Sequence, residues 1–567
     1  MSFDINSILA QLHSGRPPDM GLPSWLQQSW EDPEGFAAAL AAAASFTGRG
    51  ALPLKSRPGQ HYDLFHDLLV RHAGSERVVL RAYDPQYGWQ TLGYRQLLDQ
   101  AARRATEWAR QGVKPGAKVC LLYEPGPEFL ISLMAALGLG ACISFLPPHG
   151  TAFISRRLAA LAPKHIAAES HQLPLIQGFE KLLLHSRGDA PPLFTSHTYR
   201  PDEPVALLFS PLADPPHVPL PLSAANAWQG ALRDGLLIWG LAPEEHMAAP
   251  GMSPLQYLPA LLFSTLICGA AFVHLELGHI ERDPSLLLAH PLHTLGVSPA
   301  LRNLLMRVRP RPLGNVAHWF RCPEEPLDWE AWSDWMRQCD LTSVPHSNAL
   351  VDSSAGGTVL FSLRRKGEIH PDVFPAPGRR WELRDLNLSG QTAPGDVGLF
   401  TLLPDEGRPP GHAILSRLRS RFLYTGARDA RREGRVFPAA EVTAAIAALP
   451  FVSGASITPI PTGGTLGHHL FHLLVFTGSE PLETTQRESA SRRQQLRRRI
   501  ELQLGAEHLP DHVEFFPLHP RRQKGSVDEA WCRSQYLTGM LHLKSREPMF
   551  QALTELRTWA GNETRIA

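Results

Sequence analysis

The chain has 567 residues, several times more than one ordinary hydrophobic core needs, so two or more domains are expected. Its 55 Lys and Arg residues balance 54 Asp and Glu residues, which excludes a whole-chain field that would recruit nucleic acid or an anionic membrane. Six widely spaced cysteines, without a zinc-like Cys or His spacing, predict no metal site and indicate reduced thiols in a cytoplasmic protein.

The predicted elements begin after an N-terminal segment that lacks the pattern of a secretory signal. Residues 1–58 are expected to be an extension and linker, with one helical piece near Pro33–Ser45. A helix over Tyr62–His72, a hairpin and an amphipathic helix over Tyr94–Gln111 follow. The stretch Lys118–Pro148 then alternates strand, turn, helix and strand, with uninterrupted apolar strands. This pattern predicts a parallel βαβ unit in a sheet covered on both faces.

Two apolar runs, Phe129–Leu146 and Leu255–Val273, approach the length of a membrane span. Gly, Ser and Thr residues interrupt both runs, and strand and helix patterns surround them. We therefore expect buried α/β core and no membrane span.

The stretch Val205–Asn226 combines a strand, a loop without glycine and the start of a helix. Many enzymes bind phosphate in this order of elements, because N–H groups at the helix N-terminus face the anion. In this loop His217 is the one side chain that could carry positive charge.

The predicted secondary-structure pattern changes after residue 375, where short β-rich segments replace the alternation of strands and helices. From about residue 423 an α+β pattern returns. The predicted fold class is α/β, with a large domain over residues 59–428, a small α+β domain over 429–545 and a tail helix over 546–567.

Taken in this order, residues 60–540 resemble the adenylate-forming superfamily, which includes acyl-CoA synthetases, luciferases, peptide-synthetase adenylation domains and fatty acyl-AMP ligases. L-L-Y-E-P-G-P-E-F-L and C-P-E-E-P-L at Cys322–Leu327 are similar to segments of the fatty acyl-AMP ligase branch. The resemblance implies mixed α/β sheets in the large domain and a small mobile C-terminal domain. It also implies activation of an acyl or aryl carboxylate by ATP and Mg²⁺, followed by transfer from AMP to a thiol of CoA or a carrier protein.

The family's phosphate loop, close to T-S-G-T-T-G-x-P-K-G-V-x-x-S-H-x-N, aligns without gaps from Ser210 to Asn226. Ser210, Ser223 and Asn226 match it, and together with His217 these two serines are what remains of a nucleotide-binding loop.

Four other positions of this loop depart from the family pattern. Leu212, Pro215 and Pro219 stand at glycine positions, and Val218 stands at the lysine position. Proline has no N–H group, and a side chain at a glycine position keeps the backbone away from phosphate. The loop is therefore expected not to hold a triphosphate in the family's manner.

The family's magnesium-binding carboxylate, in Y-G-x-T-E, corresponds to Asp352 in N-A-L-V-D. The alternative interpretation of Asp352 is a loop or turn aspartate without a catalytic role. The ribose-binding T-G-D element is merged with the hinge pattern, so that no aspartate remains for ribose. Arg428 and Asp429 fit the hinge, and a solvated linker charge is the alternative for Asp429.

The family's C-terminal catalytic lysine lies in P-R-T-x-x-G-K-[IV]-D, which aligns with Pro520–Asp528 and places Ser526 at the lysine position. Lys524 is a substitute if the loop shifts register. For the acyl pocket the resemblance implies segments that contain Met252, Tyr257 and Val297, although apolar segments are also typical of plain core. Arginines of a helix near 489–505 suit an acidic carrier protein or a CoA phosphate, or form a solvated face.

These replacements predict an adenylate-forming fold that has lost its ATP chemistry, with no certain cofactor. Such a pseudoenzyme would bind an acyl group or its thioester, an acyl carrier protein or an active partner enzyme. The alternative is a divergent but active acyl-CoA or acyl-carrier-protein ligase that uses ATP and Mg²⁺. Transfer or hydrolysis without ATP is weaker, because the sequence has no G-x-S-x-G nucleophile elbow.

Overall fold

The structure, a computed structural model, divides into two compact units. The large unit comprises Met1–Pro148 and Arg157–Arg428, and the small unit comprises His149–Arg156 and Asp429–Ala567. The residues described are 5–18, 21–47, 51–186, 188–192, 195–213, 215–308, 312–323, 329–386, 396–403, 413–418, 421–432, 435–462, 466–478, 486–523 and 525–546.

The helices that begin before Arg428 are α1 Ile5–His13, α2 Leu22–Glu31, α3 Pro33–Thr47, α4 Leu64–Leu68, α5 Tyr94–Arg110, α6 Pro127–Gly138, α7 Thr151–Leu161, α8 Ala224–Arg233, α9 Pro254–Ile267, α10 Leu277–Arg282, α11 Pro299–Arg307 and α12 Trp329–Gln338. The strands that begin before Arg428 are β1 Val78–Asp84, β2 Gly88–Gly93, β3 Lys118–Leu122, β4 Cys142–Leu146, β5 His165–Ala168, β6 Pro204–Leu208, β7 Leu220–Ser223, β8 His246–Ala248, β9 Ala271–His274, β10 Leu292–Gly296, β11 Val316–Arg321, β12 His346–Asp352, β13 Gly357–Phe361, β14 Asp372–Pro375, β15 Trp381–Arg384, β16 Val397–Leu402, β17 Ala413–Leu418 and β18 Arg421–Arg432.

Two parallel-rich sheets form the centre of the large unit. The first has strand order β5-β3-β4-β6-β7, with β7 antiparallel to β6. The second runs β2-β1-β9-β8-β10-β11-β12, and its strands are parallel from β1 to β12. The predicted βαβ unit is confirmed, since β3 and β4 flank α6 and pair in parallel, with Leu122 opposite Leu146.

The N-terminal segment contributes three helices to the core of the large unit. Trp25 of α2 is fully buried, and the Ser29 hydroxyl accepts a hydrogen bond of 2.8 Å from the Gly378 N–H. The following linker is also fixed, because the buried Asp67 carboxylate accepts the N–H groups of Lys55 and Ser56 at 2.7 and 3.1 Å. This segment, predicted as an extension with one helix, therefore packs into the main core.

The small unit continues the chain with β19 Arg435–Val436, α13 Ala439–Ile446, β20 Gly454–Pro461, β21 Leu466–Phe476, α14 Gln486–Leu504, β22 His512–Phe516, β23 Arg522–Gln523, β24 Ser526–Val527, α15 Glu529–Leu537 and α16 Met540–Arg546. Its sheet joins β20, β21 and β22, with β22 parallel to β21. The tail helix predicted over 546–567 lies outside the described residues except for Arg546. Within the described chain, no helix is both long and apolar enough to cross a membrane.

Among the buried histidines of the large unit are His72, His318, His346 and His370. Burial is the main cause that lowers the imidazole pKa of each, because a charged ring loses its hydration. The pKa values fall to about 3 for His72, about 4 for His346 and about 2 for His370, and that of His318 also falls. Neighbouring guanidinium groups add to these shifts. These rings are therefore neutral in the folded protein.

We expect acid to destabilise the protein well before its carboxylates titrate. Below pH ~6.5 these histidines are protonated in the unfolded chain but remain neutral in the folded protein. Each of them therefore lowers the free energy of unfolding by up to about 1.4 kcal/mol for every unit by which the pH falls. Urea unfolding at pH 7.5, 6.5 and 5.5 measures this slope. His72→Gln should reduce the slope by up to one proton, whereas His171→Gln, at an exposed ring, should not. Equal stability at the three pH values would contradict the prediction.

Candidate functional site

The predicted strand, loop and helix at Val205–Asn226 are present, with one additional strand. Strand β6 ends at Leu208, and after the loop β7 returns antiparallel to it, with Leu208 opposite Leu220. Helix α8 follows directly, and the Ser223 hydroxyl caps it by accepting the Asn226 N–H at 3.3 Å. Ser223 therefore serves as a helix cap, which satisfies an N–H group that the helix leaves open.

The backbone N–H groups of this loop are largely engaged within the loop. Residues 211, 215, 216 and 219 are prolines and have no N–H group. The Leu212 N–H donates to the Ser210 hydroxyl at 3.2 Å, and the Ala213 N–H donates to the Ser210 carbonyl at 3.1 Å. The Val218 N–H donates to the Pro215 carbonyl at 3.3 Å. These three N–H groups therefore donate to acceptors within the loop.

The side chain of Leu212 fills the space beneath the loop. It is 8% exposed and belongs to an apolar cluster that includes Leu350, Ala355 and Tyr424. Val218, at the family's lysine position, is 44% exposed. His217 is half-buried. The loop is thus anchored by an apolar side chain where the family pattern has a glycine.

Asp352 lies at the end of β12 and caps the short 3₁₀ turn Ser353–Ala355. Its Oδ1 atom accepts hydrogen bonds from the Ser354 N–H at 3.0 Å and the Ser354 hydroxyl at 2.7 Å. This geometry is that of a turn aspartate, the alternative considered for this residue. Among the described residues, no three His, Cys, Asp or Glu side chains are grouped to hold a metal ion.

The candidates for the catalytic lysine position and for the hinge lie in two separate segments. Ser526 is exposed on the hairpin of β23 and β24, opposite Gln523, and Lys524 lies outside the described residues. Arg428 and Asp429 lie within β18, and the two compact units meet in sequence between them. Their side chains lie outside the described part of the structure.

A small apolar cavity lies between α8, α9 and the turn after β12. Its volume is about 10 Å³, which leaves room for about one water molecule. Small side chains of α8, namely Ala227, Gly230 and Ala231, form one wall, and Phe263 of α9 forms another. The i, i+3, i+4 spacing of these small residues on α8 is the sequence signal for this wall.

The predicted pocket residues do not line this cavity. Met252 and Tyr257 are buried in the main core of the large unit, whereas Val297 is buried in a second apolar cluster. Val297 follows β10 and packs in the cluster that contains residues of α11 and α12. Pro259 and Ala260, which follow Tyr257 on α9, are the residues of this helix segment that line the cavity.

A buried ion pair holds α8 against β13. Arg233 Nη2 lies 2.6 Å from Asp234 Oδ1 and donates to the Thr358 carbonyl at 2.9 Å. The Thr358 N–H in turn donates to Asp234 Oδ2 at 2.6 Å. The approach is close enough to require glycine, since a Cβ atom on Gly230 would lie 1.8 Å from the Gly356 carbonyl oxygen. This contact keeps the cavity small.

In the small unit, the arginine-rich helix is α14. Its apolar face buries Leu496 and Ile500, and Arg499 Nε donates to the Ala445 carbonyl at 3.2 Å. Arg497 pairs with Glu501 at 3.2 Å on the exposed face. The exposed Arg498 has no ion-pair or hydrogen-bond partner among the described residues.

Comparisons with known proteins agree with this geometry. Residues 70–183 match the family model described as AMP-binding enzyme. The structure is similar to the acyl-CoA synthetase of Brucella canis, with 16% identity, 88% of this chain and 97% of that chain covered, and a TM-score of 0.56. No curated protein matches the sequence.

Two further solved structures are similar. One is the fatty acyl-adenylate ligase from L. pneumophila in complex with acyl adenylate and pyrophosphate. It is 12% identical, the match covers 84% of this chain and 96% of that chain, and the TM-score is 0.63. The other is a double mutant of o-succinylbenzoate CoA synthetase from Bacillus subtilis bound with its product analogue OSB-NCoA. It is 14% identical, the match covers 83% of this chain and 98% of that chain, and the TM-score is 0.60. The predicted resemblance and fold class are thereby confirmed.

Asp234→Ala should destabilise the large unit strongly. It leaves the Arg233 guanidinium buried without its carboxylate, which typically costs about 3–5 kcal/mol of unfolding free energy. Urea unfolding followed by tryptophan fluorescence measures the change. Asp202→Ala is the matched control, because Asp202 is 81% exposed and pairs with Arg200 at 3.7 Å. Equal stability of the two variants would show that the ion pair does not anchor α8.

Proposed function

We propose that this chain, which has the fold of the adenylate-forming superfamily, is a member that does not adenylate carboxylates and acts by binding a carrier protein. The observation that carries the proposal is the phosphate loop. Its prolines have no N–H group, three of its remaining N–H groups bond within the loop, and Leu212 fills the space beneath it. These residues do not fit a triphosphate, so we derive no step through ATP.

The energetic consequence follows from the charge that adenylation develops on phosphate and carboxylate oxygens. Removal of one preorganised donor to such an oxygen typically costs about 3–4 kcal/mol of transition-state stabilisation, or about 10²–10³ in rate. The loop offers several fewer donors than its family pattern. Val218 and Ser526 at the two lysine positions are uncharged and cannot oppose the negative charge. The combined losses favour a pseudoenzyme over a slow ligase.

The cavity at α8 is too small for an acyl chain. At about 10 Å³ it is smaller than a methylene chain, whereas pockets for small organic ligands usually exceed about 300 Å³. Binding an acyl or aryl carboxylate there would require α8 to separate from β13 against the buried ion pair. An acyl carrier protein needs no such opening if it docks on the surface.

The exposed face of α14 suits an acidic carrier protein. Arg493, Arg497 and Arg498 are exposed on it, while the opposite face is packed in the small unit. Rim charges of this kind steer an oppositely charged partner and set the association rate. The proposed role is recognition of a carrier, or of its acyl thioester, within a biosynthetic pathway.

We expect no response of the protein to ATP. Thermal unfolding with up to millimolar ATP and Mg²⁺ should leave Tm unchanged, and no pyrophosphate should be released with fatty or aryl acids. Val218→Lys is an informative variant, because one restored cation leaves the N–H groups engaged and should also bind no ATP. Stabilisation of the unmodified chain by ATP, with pyrophosphate release, would support the alternative of a divergent active ligase.

Charge reversal on α14 should weaken binding of an acidic acyl carrier protein. The double substitution Arg497→Glu and Arg498→Glu should reduce the affinity at least about tenfold, mostly by slowing association. Surface plasmon resonance at two salt concentrations measures both effects. Arg307→Glu on α11 is the control, since Arg307 is 70% exposed in the large unit. Unchanged affinity of the α14 variant would remove this face from the proposal.

A further inference from the structure

A polar cluster lies in the large unit, on β12, β14, β18 and the segment before β14. It comprises Arg365, His370, Asp372 of β14 and Arg421 of β18, with Asn348 of β12 behind them, and we call it the basic pocket. From this arrangement we propose that the basic pocket is a binding site for a phosphate group. The inference does not depend on the function proposed above.

The two guanidinium groups of the basic pocket share one carboxylate. Arg365 Nη2 lies 2.6 Å from Asp372 Oδ2, and Arg421 Nη1 lies 3.3 Å from the same oxygen atom. Asp372 is the one carboxylate that contacts them among the described residues. The pair of arginines therefore retains about one positive charge that no internal group neutralises.

The buried imidazole of His370 belongs to the same cluster and lacks an acceptor. Its ring is 6% exposed, and within the described part of the chain neither ring nitrogen has a hydrogen-bond partner. One nitrogen of a neutral imidazole must carry a proton, so a buried N–H donor stays unsatisfied. Burial lowers its pKa to about 2, with Arg365 the next cause, as expected for a ring beside uncompensated positive charge. An oxyanion beside the ring would supply the missing acceptor.

The backbone around the ring is fixed before any ligand binds. Asn348 Nδ2 donates to the His370 carbonyl at 2.7 Å and to the Asp372 carbonyl at 3.0 Å. Strand β14 also pairs with β18, with Asp372 opposite Leu423. The donors are thus held in place, which reduces the entropy that binding must overcome.

The pocket can be reached from solvent on its arginine side. The side chains of Arg365 and Arg421 are 38% and 54% exposed, whereas His370 and Asn348 are buried. Guanidinium groups bind phosphate oxygens in a bidentate manner, and a dianion matches two of them. Asp372 would then act as a built-in competitor that a phosphate displaces in part. A free phosphate and a phosphomonoester share this chemistry.

Calorimetric titration of the full chain tests the proposal. Inorganic phosphate and glycerol 3-phosphate are titrated separately at constant ionic strength, with NaCl as the control for screening. We expect saturable binding of at least one of them. Arg421→Gln should weaken it at least about tenfold, because a charge-assisted bond is lost. Arg307→Gln, an equally conservative change on α11, should leave it unchanged.

Asp372→Asn gives a second measurement with the opposite sign. Without the competing carboxylate, phosphate affinity should rise several-fold. If Asp372→Asn does not fold, Arg421→Gln still decides the outcome, since Arg421 is largely at the surface. Binding of glycerol 3-phosphate but not of inorganic phosphate would assign the site to phosphomonoesters. Absence of saturable binding in the unmodified chain, or equal affinity in Arg421→Gln, would overturn the proposal.

Discussion

Arg233 and Asp234 form a buried ion pair that engages both backbone groups of Thr358, and the centre of the large unit depends on this contact. Water is excluded from the pair, so separating α8 from β13 would leave charges and peptide groups without partners. Because Gly230 has no side chain, the backbone of α8 can approach the backbone at Gly356, just before β13. The cavity beside this contact has space for about one water molecule.

The loop between β6 and β7 is stabilised by interactions that differ from those of a glycine-rich phosphate loop. A glycine-rich loop leaves its N–H groups directed outward to an anion, at a cost in conformational entropy. In this chain prolines reduce that entropy in the unfolded state, and Leu212 contributes apolar burial beneath the loop. The same substitutions that support a non-adenylating role therefore also favour a stable loop without a ligand.

Buried imidazole rings and guanidinium groups are concentrated around β12 of the large unit. Neutral imidazoles and guanidinium groups lie beneath and beside β12, where His346 stacks on Trp319 at 4.9 Å and lies 5.5 Å from His370. Positive neighbours and burial act in the same direction on these rings, and each favours the neutral form. Burial is the main cause of the low imidazole pKa values of His346 and His370, and Arg365 of the basic pocket lowers both further.

The sequence by itself determined the features that depend on neighbours in the chain. Apolar runs gave the βαβ unit at Lys118–Pro148, and the gapless register at Ser210–Asn226 identified prolines that have no N–H group. Tertiary structure alone decided the rest. The packing of the N-terminal helices, the cavity at α8 and the unpaired ring of His370 all depend on contacts between residues far apart in sequence, which local pattern does not encode.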